Sequence, residues 1–373
     1  MSSAEQRIRV LWLIKGLGPG GAERLLVAAA AHHDRARFDV TCASLLPWKQ
    51  QLAPELEALG VRTTCLDVRD ERDVRWARRL RHHLVAHPVD IVHAHSPYPA
   101  GIARITVATL PSRVRPVTVY TLHNTWTSFA GPTRALNRAT MARDAAALAV
   151  SAEVRATVPR RLRDRTEVVV HGIDLHAVRA CADRTGVRAE LGIGHGEVVF
   201  GTVANFRAQK DYPNLFAAAA LLRDRGVGLR IIAVGQGPLE AEMRAEHARL
   251  GLAGTVELLG ERADATRVMS ACDGFVLASR NEGLPVAVME AFALGLPVVG
   301  TEVGGMTEMV DVTNGILVPP RDPPALADAV SELVRDPARR AALADGARRT
   351  SERFDIQRAV DRIETVYARV ARA

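Results

Sequence analysis

No apolar run in this 373-residue chain approaches the roughly 18 to 20 residues that a membrane-crossing helix needs, which excludes a protein built on spanning helices. Cysteine is scarce. Cys42, Cys65, Cys181 and Cys272 lie far apart and form no C-x-x-C pair. They read as reduced, mostly buried thiols, which points to a cytosolic protein. No apolar leader precedes the first strand-like run: Met1 to Arg9 is polar and leads directly into Val10-Leu11-Trp12-Leu13-Ile14, so secretion is not expected. Repeats with a period of about 20 to 50 residues are missing, and so is any low-complexity tail. Lysine is nearly absent: of 49 basic residues only Lys15, Lys49 and Lys210 are lysine, and the rest are arginine.

What is present is an ordinary globular composition, 48% hydrophobic and 24% charged. At about 150 residues per domain the length implies two domains, each large enough for its own core. The net charge of +7 is unevenly spread. Residues 1 to 172 hold 25 Lys and Arg against 15 Asp and Glu, whereas residues 173 to 373 hold 24 against 27. An arginine-rich surface on the first half could face nucleic acid, an anionic membrane or an acidic substrate. The plainer account is arginine used simply for solubility.

Short β-rich runs alternate with helical patterns. Arg9 to Ile14 is followed by a glycine loop and an apolar helix, Ala22 to His32, and the series continues through Phe38 to Leu45, Thr63 to Leu66, Ile91 to Ala94, Val117 to Leu122 and Ala147 to Val150. It restarts with Val198 to Val203, Leu229 to Val234, Val256 to Leu259, Gly274 to Leu277 and Pro297 to Gly300. Such alternation implies right-handed βαβ units and parallel sheets, so the expected class is α/β with two doubly wound halves. The hydrophilic stretch Asp174 to Gly196 is the boundary candidate. A last helix, Pro323 to Leu343 and then Ile356 to Arg372, is broken near Ser351 to Asp355. Ligands of doubly wound sheets sit beyond the C-terminal strand ends, so the site is expected in a cleft between the halves.

Three segments could carry chemistry. Gly16-Leu17-Gly18-Pro19-Gly20-Gly21 is a formal G-x-G-x-x-G after the first strand. A dinucleotide site also needs an acid at the end of the second strand, and that strand ends Ala43-Ser44-Leu45-Leu46. NAD(P) binding is therefore disfavoured, while a turn that lets the backbone approach some ligand remains. Glu282-Gly283-Leu284-Pro285-Val286-Ala287-Val288-Met289-Glu290 follows a buried strand, with Pro285 suited to a first helical turn. Its E-x7-E pattern lies where a ligand is expected, and a helix start there offers amides to phosphate; the bland reading is a helix cap. Asn205-Phe206-Arg207-Ala208-Gln209-Lys210 contains the only lysine of the second half, a compact point charge for phosphate, with Arg207 as a bidentate fork. The bland reading here is two solvated loop cations.

Together these residues resemble the retaining glycosyltransferases of family 4, also called the group 1 glycosyltransferases, over essentially the whole chain. The resemblance is carried by Gly20-Gly21-Ala22-Glu23, Asp90-Ile91-Val92-His93-Ala94-His95, Thr121-Leu122-His123-Asn124, Val150-Ser151 and His171-Gly172-Ile173-Asp174. It continues through Gly201 to Lys210, Val234-Gly235-Gln236-Gly237-Pro238, Glu282 to Glu290, Gly304-Gly305 and Asn314-Gly315.

The resemblance implies a GT-B fold of two Rossmann-like domains: an acceptor-binding domain over 1–175, a nucleotide-sugar domain over 190–352, and a helix over 353–373 packing back on the first. It also implies roles. Glu290 would hold the ribose hydroxyls and Glu282 the transferred sugar, Arg207 and Lys210 would neutralise the diphosphate, and His123 would lie near the anomeric carbon. Gly20 and Gly21 would let the first loop reach the diphosphate, and Asn205, Gly235, Gly283 and Leu284 would complete the donor set. One departure stands out: family members often carry an arginine five residues before the lysine, where this chain has Asn205.

A leaving nucleoside diphosphate needs cations, helix amides or a metal. No two aspartates have the D-x-D spacing of metal-dependent transferases, so Arg207, Lys210 and the helix at Pro285 are expected to act without a metal or cofactor. His93, His95 and His123 could imitate a three-histidine zinc site, but no acidic partner stands beside them. The expected partners are a nucleotide sugar, UDP-linked in preference to GDP-linked, and a hydroxyl acceptor such as a glycolipid, polysaccharide precursor or small molecule. The competing readings are a nucleotide-sugar epimerase or hydrolase on the same fold, and an NAD(P)-binding oxidoreductase. The basic excess then falls on the acceptor half, in Arg69 to Arg81 and Arg134 to Arg165. Nucleic acid is not needed as a partner, and peripheral contact with an anionic cytoplasmic membrane face is the alternative use of that charge.

Overall fold

The run Val10 to Ile14 is apolar at every position, with no polar face to leave in water. In the computed structural model, which describes residues 7–69 and 73–371, it lies in strand β1 (Ile8–Ile14) and is buried on both faces. Val10, Trp12 and Ile14 enter one core with Phe38 and Val40, while Leu11 and Leu13 enter a second with Trp76 and Val92. Burial on both faces is the signature of a parallel sheet covered by helices on each side.

The chain divides into two units, Met1–Gly172 with Ile356–Ala373, and Ile173–Asp355. The first has β1, β2 (Phe38–Ser44), β3 (Arg62–Cys65), β4 (Ile91–Ala94), β5 (Val117–Leu122), β6 (Ala146–Ala149) and β7 (Thr166–Val168), in the order β3-β2-β1-β4-β5-β6-β7. The second has β8 (Val199–Val203), β9 (Arg230–Val234), β10 (Val256–Gly260), β11 (Gly274–Leu277), β12 (Val298–Thr301) and β13 (Gly315–Val318), in the order β10-β9-β8-β11-β12-β13. Every adjacent pair in both sheets is parallel. Each sheet therefore reverses its winding once, between β1 and β4 and between β8 and β11. The loops after those strands diverge there and leave a crevice for a ligand.

The last helix, Ile356–Ala371, belongs to the first unit. Val366, Tyr367 and Val370 join the core of Val10 and Trp12, and Ile356, Ala359 and Val360 pack against Ala28 and Ala29 of the first helix, Gly21–His32. Arg362 and Arg369 both pair with Glu167 next to it.

Several elements differ from the sequence expectation. The hydrophilic stretch 174–196 carries two short helices, Leu175–Ala180 and Arg184–Glu190, started by Asp174 and Asp183 side chains that accept from Ala177 and Gly186 amides. The single helix expected over Pro323 to Leu343 is two, Pro323–Arg335 and Pro337–Ser351. Pro337 has no N–H to continue the first, and the Asp336 carboxylate caps the second by accepting from the Arg339 amide. Strands β7 and β13 extend the two expected series by one strand each. Of the four cysteines, Cys42 and Cys272 are buried but Cys65 and Cys181 are exposed, so the thiols are not mostly buried. Met1 to Gln6, Asp70 to Arg72 within the stretch Arg69 to Arg81, and Arg372 with Ala373 lie outside the described residues.

The first unit contains an ion pair with both side chains 1% exposed, Arg104 with Asp144 at 2.7 Å. Arg104 also donates to Asn137 Oδ1 and Thr140 Oγ1, and Thr118 Oγ1 donates to Asp144. The pair thereby ties helices Pro97–Ala108 and Gly131–Thr140 to the start of β5. Arg104→Met would leave a carboxylate buried without its partner and should lower stability by about 3–5 kcal/mol in chemical denaturation. Adding Asp144→Leu should restore most of that loss; a double variant as unstable as the single one would mean that packing, not the orphaned charge, dominates.

Candidate active site

The winding reversal of the second unit brings together two loops far apart in sequence. The loop after β8 carries Asn205, Arg207 and Lys210, and the loop after β11 carries Ser279 and Glu282. Lys210 Nζ stands 2.5 Å from Glu282 Oε1, with side-chain exposures of 17% and 6%. Ser279 Oγ donates to the same oxygen at 2.5 Å. A carboxylate this deeply enclosed would be costly to bury without a cation and hydrogen bonds, and it has both.

Two further contacts hold the loops in register. The Arg280 amide donates to Gln209 O at 2.7 Å, and its guanidinium donates to Asp211 Oδ1 at 2.6 Å. Asp211 occupies the left-handed region at φ 48°, which a short polar residue tolerates, and it turns the chain from the Lys210 loop into helix Tyr212–Asp224. On the other side, Gly304 sits at φ +54°, and a Cβ there would fall 1.8 Å from Glu282 O. The Gly305 amide donates to Gly283 O at 3.1 Å. No side chain fits between the two backbones, so the Gly304-Gly305 turn sets the height of the Glu282 loop.

The remaining expected residues distribute as follows. Pro285 precedes helix Val286–Ala293, and Glu290 lies about a turn and a half inside it, accepting from Thr266 Oγ1 at 3.4 Å. Leu284 is buried beside Gly305. Gly235 lies against Ala204 and the Asn205 amide, where a Cβ would be 2.0 Å from Ala204 O. Arg207 is exposed; its amide donates to Asn205 O, and its guanidinium is not drawn into the Lys210–Glu282 pair. Lys210, Glu282 and Ser279 thus converge, and Arg207 does not join them.

The first unit holds His123, Gly20 and Gly21. Gly20 is the extended residue before helix Gly21–His32, and Gly21 opens that helix. His123 follows β5 within a row of imidazoles: ring centroids are 4.0 Å apart for His93 and His95, 5.6 Å for His95 and His123, and 6.3 Å for His123 and His171. His93 bonds to Tyr367 Oη at 2.6 Å and Thr121 Oγ1 at 2.8 Å. His95 Nδ1 and His123 Nε2 share a hydrogen bond of 3.3 Å. These rings line one side of a mostly apolar cavity of about 60 Å³, closed by Leu25, Leu26 and Val360. Burial pushes His93 down to about 3 and His123 down to about 4, and holds His95 well below the usual range. Among the described residues, no cluster of His, Cys, Asp and Glu is arranged to hold a metal ion.

Ser279, Arg280, Asp211 and Tyr367 were not reached from sequence. Ser279 and Arg280 are visible only as loop residues after a strand. Tyr367 lies 274 residues from the histidine it holds.

Unfolded, a histidine takes up a proton near pH 6.5, whereas folded His93 does so only at about 3. The unfolded chain therefore binds more protons between these values. The contribution of His93 to stability is fully present above pH 6.5 and falls as pH drops toward 3, by about 1.4 kcal/mol per pH unit. His93→Gln, which cannot titrate, should flatten the stability slope between pH 6.5 and 5 by about that amount. Denaturation curves at stepped pH measure it, and an unchanged slope would remove His93 from the groups responsible.

Two family models match the chain: "Glycosyltransferase Family 4" over residues 19–177 and "Glycosyl transferases group 1" over residues 197–336. The putative glycosyltransferase EpsF of Bacillus subtilis is 28% identical over 331 residues, covering 85% of this chain and 84% of EpsF. The lipopolysaccharide core biosynthesis mannosyltransferase LpsB of Rhizobium meliloti is 32% identical over 215 residues, 55% of this chain and 61% of LpsB. Among solved structures, Anabaena HepE in complex with UDP and glucose has a TM-score of 0.84 at 22% identity, covering 97% of this chain and all of HepE. WaaG, a glycosyltransferase involved in lipopolysaccharide biosynthesis, has a TM-score of 0.75 at 18% identity, covering 96% and 99%. The two parallel sheets share the GT-B fold of these structures, and the chain is a glycosyltransferase that belongs to the group 1, or family 4, glycosyltransferases.

Proposed function

We propose that this enzyme moves a sugar from a nucleoside diphosphate sugar to a hydroxyl acceptor, with retention at the anomeric carbon and without a metal. The observation that carries the reading is the Lys210–Glu282 pair at the winding reversal of the second unit. Lysine has three N–H donors and spends one on Glu282, so two can face the oxygens of a diphosphate. Glu282 commits Oε1 to Lys210 and Ser279, and Oε2 is the oxygen that would accept from a hydroxyl of the transferred sugar. In this reading the phosphate and the sugar would lie on opposite sides of the pair. Charge developing on the departing diphosphate would meet Lys210 and the positive end of helix Val286–Ala293. In this reading Glu290 takes the ribose hydroxyls, Gly283, Leu284, Asn205 and Gly235 shape the donor pocket, and Arg207 approaches only when phosphate is present. His123, with Gly20 and Gly21, would contact the donor from the first unit.

A UDP-sugar is the favoured donor, since HepE was crystallised with UDP, with UDP and glucose, and with UDP-glucose. The acceptor class stays broad: relatives are named for lipopolysaccharide core, inositol 3-phosphate and malate products. The test is a donor-by-acceptor screen in EDTA, with mass detection and assignment of the anomeric configuration of the product. Free UDP or GDP formed only with acceptor supports transfer; an epimer or free sugar formed without one would point to the epimerase or hydrolase instead. With a working pair, Lys210→Ala should lower kcat about 10²- to 10³-fold, the cost of one lost charge stabiliser. Glu290→Ala should instead raise the donor KM about tenfold or more, as the loss of hydrogen bonds to a charged group does. Unchanged kinetics in both would refute the site.

The basic excess is assigned to peripheral contact of the first unit with an anionic cytoplasmic membrane face. Arg134, Arg138, Arg143, Arg160 and Arg161 are exposed, as are Arg75, Arg78 and Arg81, and Val74 and Val85 stand exposed at the ends of the latter group. No helix among the described residues is long and apolar enough to cross a membrane. Sedimentation with phosphatidylglycerol vesicles should show binding that weakens steeply with salt; binding insensitive to salt, or none at low salt, contradicts the assignment.

A further inference from the structure

Of the histidines in the first unit only His123 has a part in the proposed reaction, yet His93 and His95 behind it are held by specific hydrogen bonds and ring packing. Trp12 Nε1 can only donate, and it donates to Tyr367 Oη at 3.1 Å. The tyrosine has one proton of its own, and its neighbour at 2.6 Å is His93 Nδ1. Were His93 also protonated there, the buried hydroxyl would have nothing to donate to. Tyr367 therefore donates to His93 Nδ1, and His93 donates from Nε2 to Thr121 Oγ1 at 2.8 Å. His95 packs against the face of His93, with centroids 4.0 Å apart, and meets Trp12 edge-on at 81°. That packing limits the ring's rotation.

A neutral imidazole has one N–H to place. His95 Nε2 is buried and has no hydrogen-bond partner among the described residues, whereas Nδ1 faces His123 Nε2 at 3.3 Å. A proton on Nε2 would be an orphaned buried donor; on Nδ1 it is used, and the unused group is only a lone pair. Buried orphan N–H groups are the rarer and costlier of the two. His95 is then the donor and His123 Nε2 the acceptor.

We infer that His95 is a positioning residue that fixes His123 as its Nδ1–H tautomer, so that what His123 offers a substrate is a hydrogen-bond donor and not a basic lone pair. The inference rests on the reading of His123 as a residue of the reaction. It makes His123 a group that holds a sugar oxygen or stabilises charge on it, rather than the base that deprotonates the acceptor. The C-terminal helix enters the same device, since Tyr367 sets the tautomer of His93, on which His95 rests.

The test uses the full-length enzyme labelled with ¹⁵N-histidine and long-range ¹H–¹⁵N correlation spectra, with His123→Ala to assign the signals. Wild type should show His123 protonated at Nδ1 and bare at Nε2. His95→Leu should move that population toward Nε2–H and lower kcat at least about tenfold, with the donor KM nearly unchanged. His95→Asn, whose amide N–H stands in for Nδ1–H, should restore both. A wild-type spectrum with the proton on Nε2 overturns the inference whether or not the leucine variant folds. So does an asparagine variant that folds but matches leucine in tautomer and rate. A tautomer that shifts while kcat does not would uphold the positioning and instead refute the catalytic reading of His123.

Discussion

Lys210 and Glu282 are separated by 72 residues and meet at 2.5 Å. Much else in the second unit follows from keeping that contact. The pair stands where β8 and β11 lie side by side and the chain leaves them in opposite directions, so the two loops share a crevice with no strand between them. Around it the unit adds backbone-level restraints: Arg280 to Gln209 and Asp211 on one flank, and the Gly304-Gly305 turn against Glu282 and Gly283 on the other.

The first unit solves a different problem with neutral groups. His93, His95 and His123 are enclosed among aliphatic side chains, where a charged imidazole would be expensive, and burial holds all three below the usual imidazole range. Uncharged rings can still carry direction. From Trp12 through Tyr367 and His93, and from His95 to His123, each proton has one acceptor that accounts for it. The same sheet topology thus supports a charged device in one unit and a tautomeric one in the other.

Much of this was legible in the chain. The all-apolar run Val10 to Ile14 announces a strand buried on both faces, and the alternation that follows announces parallel sheets. Lys210 is conspicuous as the only lysine among the arginines of its half, and E-x7-E puts Glu282 and Glu290 on either side of a helix start. Arg207, three residues before Lys210, offers a bidentate fork in the sequence, and in the structure its side chain is exposed. The hydrophilic stretch 174–196 looked like a connection, but Asp174 and Asp183 there begin helices. Pro337 and Asp336 were a stop and a cap in plain view, outweighed by the periodicity of the helices on either side.

By itself the sequence determined the elements, their order and the residue types at the loop tips, because these depend on neighbours within a few positions along the chain. Only the tertiary structure decided which loop tips touch. The contact of Lys210 with Glu282, the turn of Gly304 beneath it, and the hold of Tyr367 on His93 all depend on strand order and on where the last helix packs. Those are set by burial summed over a whole unit, and no local pattern contains them. The same holds for the protonation of the histidine row: a histidine's residue type permits either tautomer, and only the partners around each ring select one.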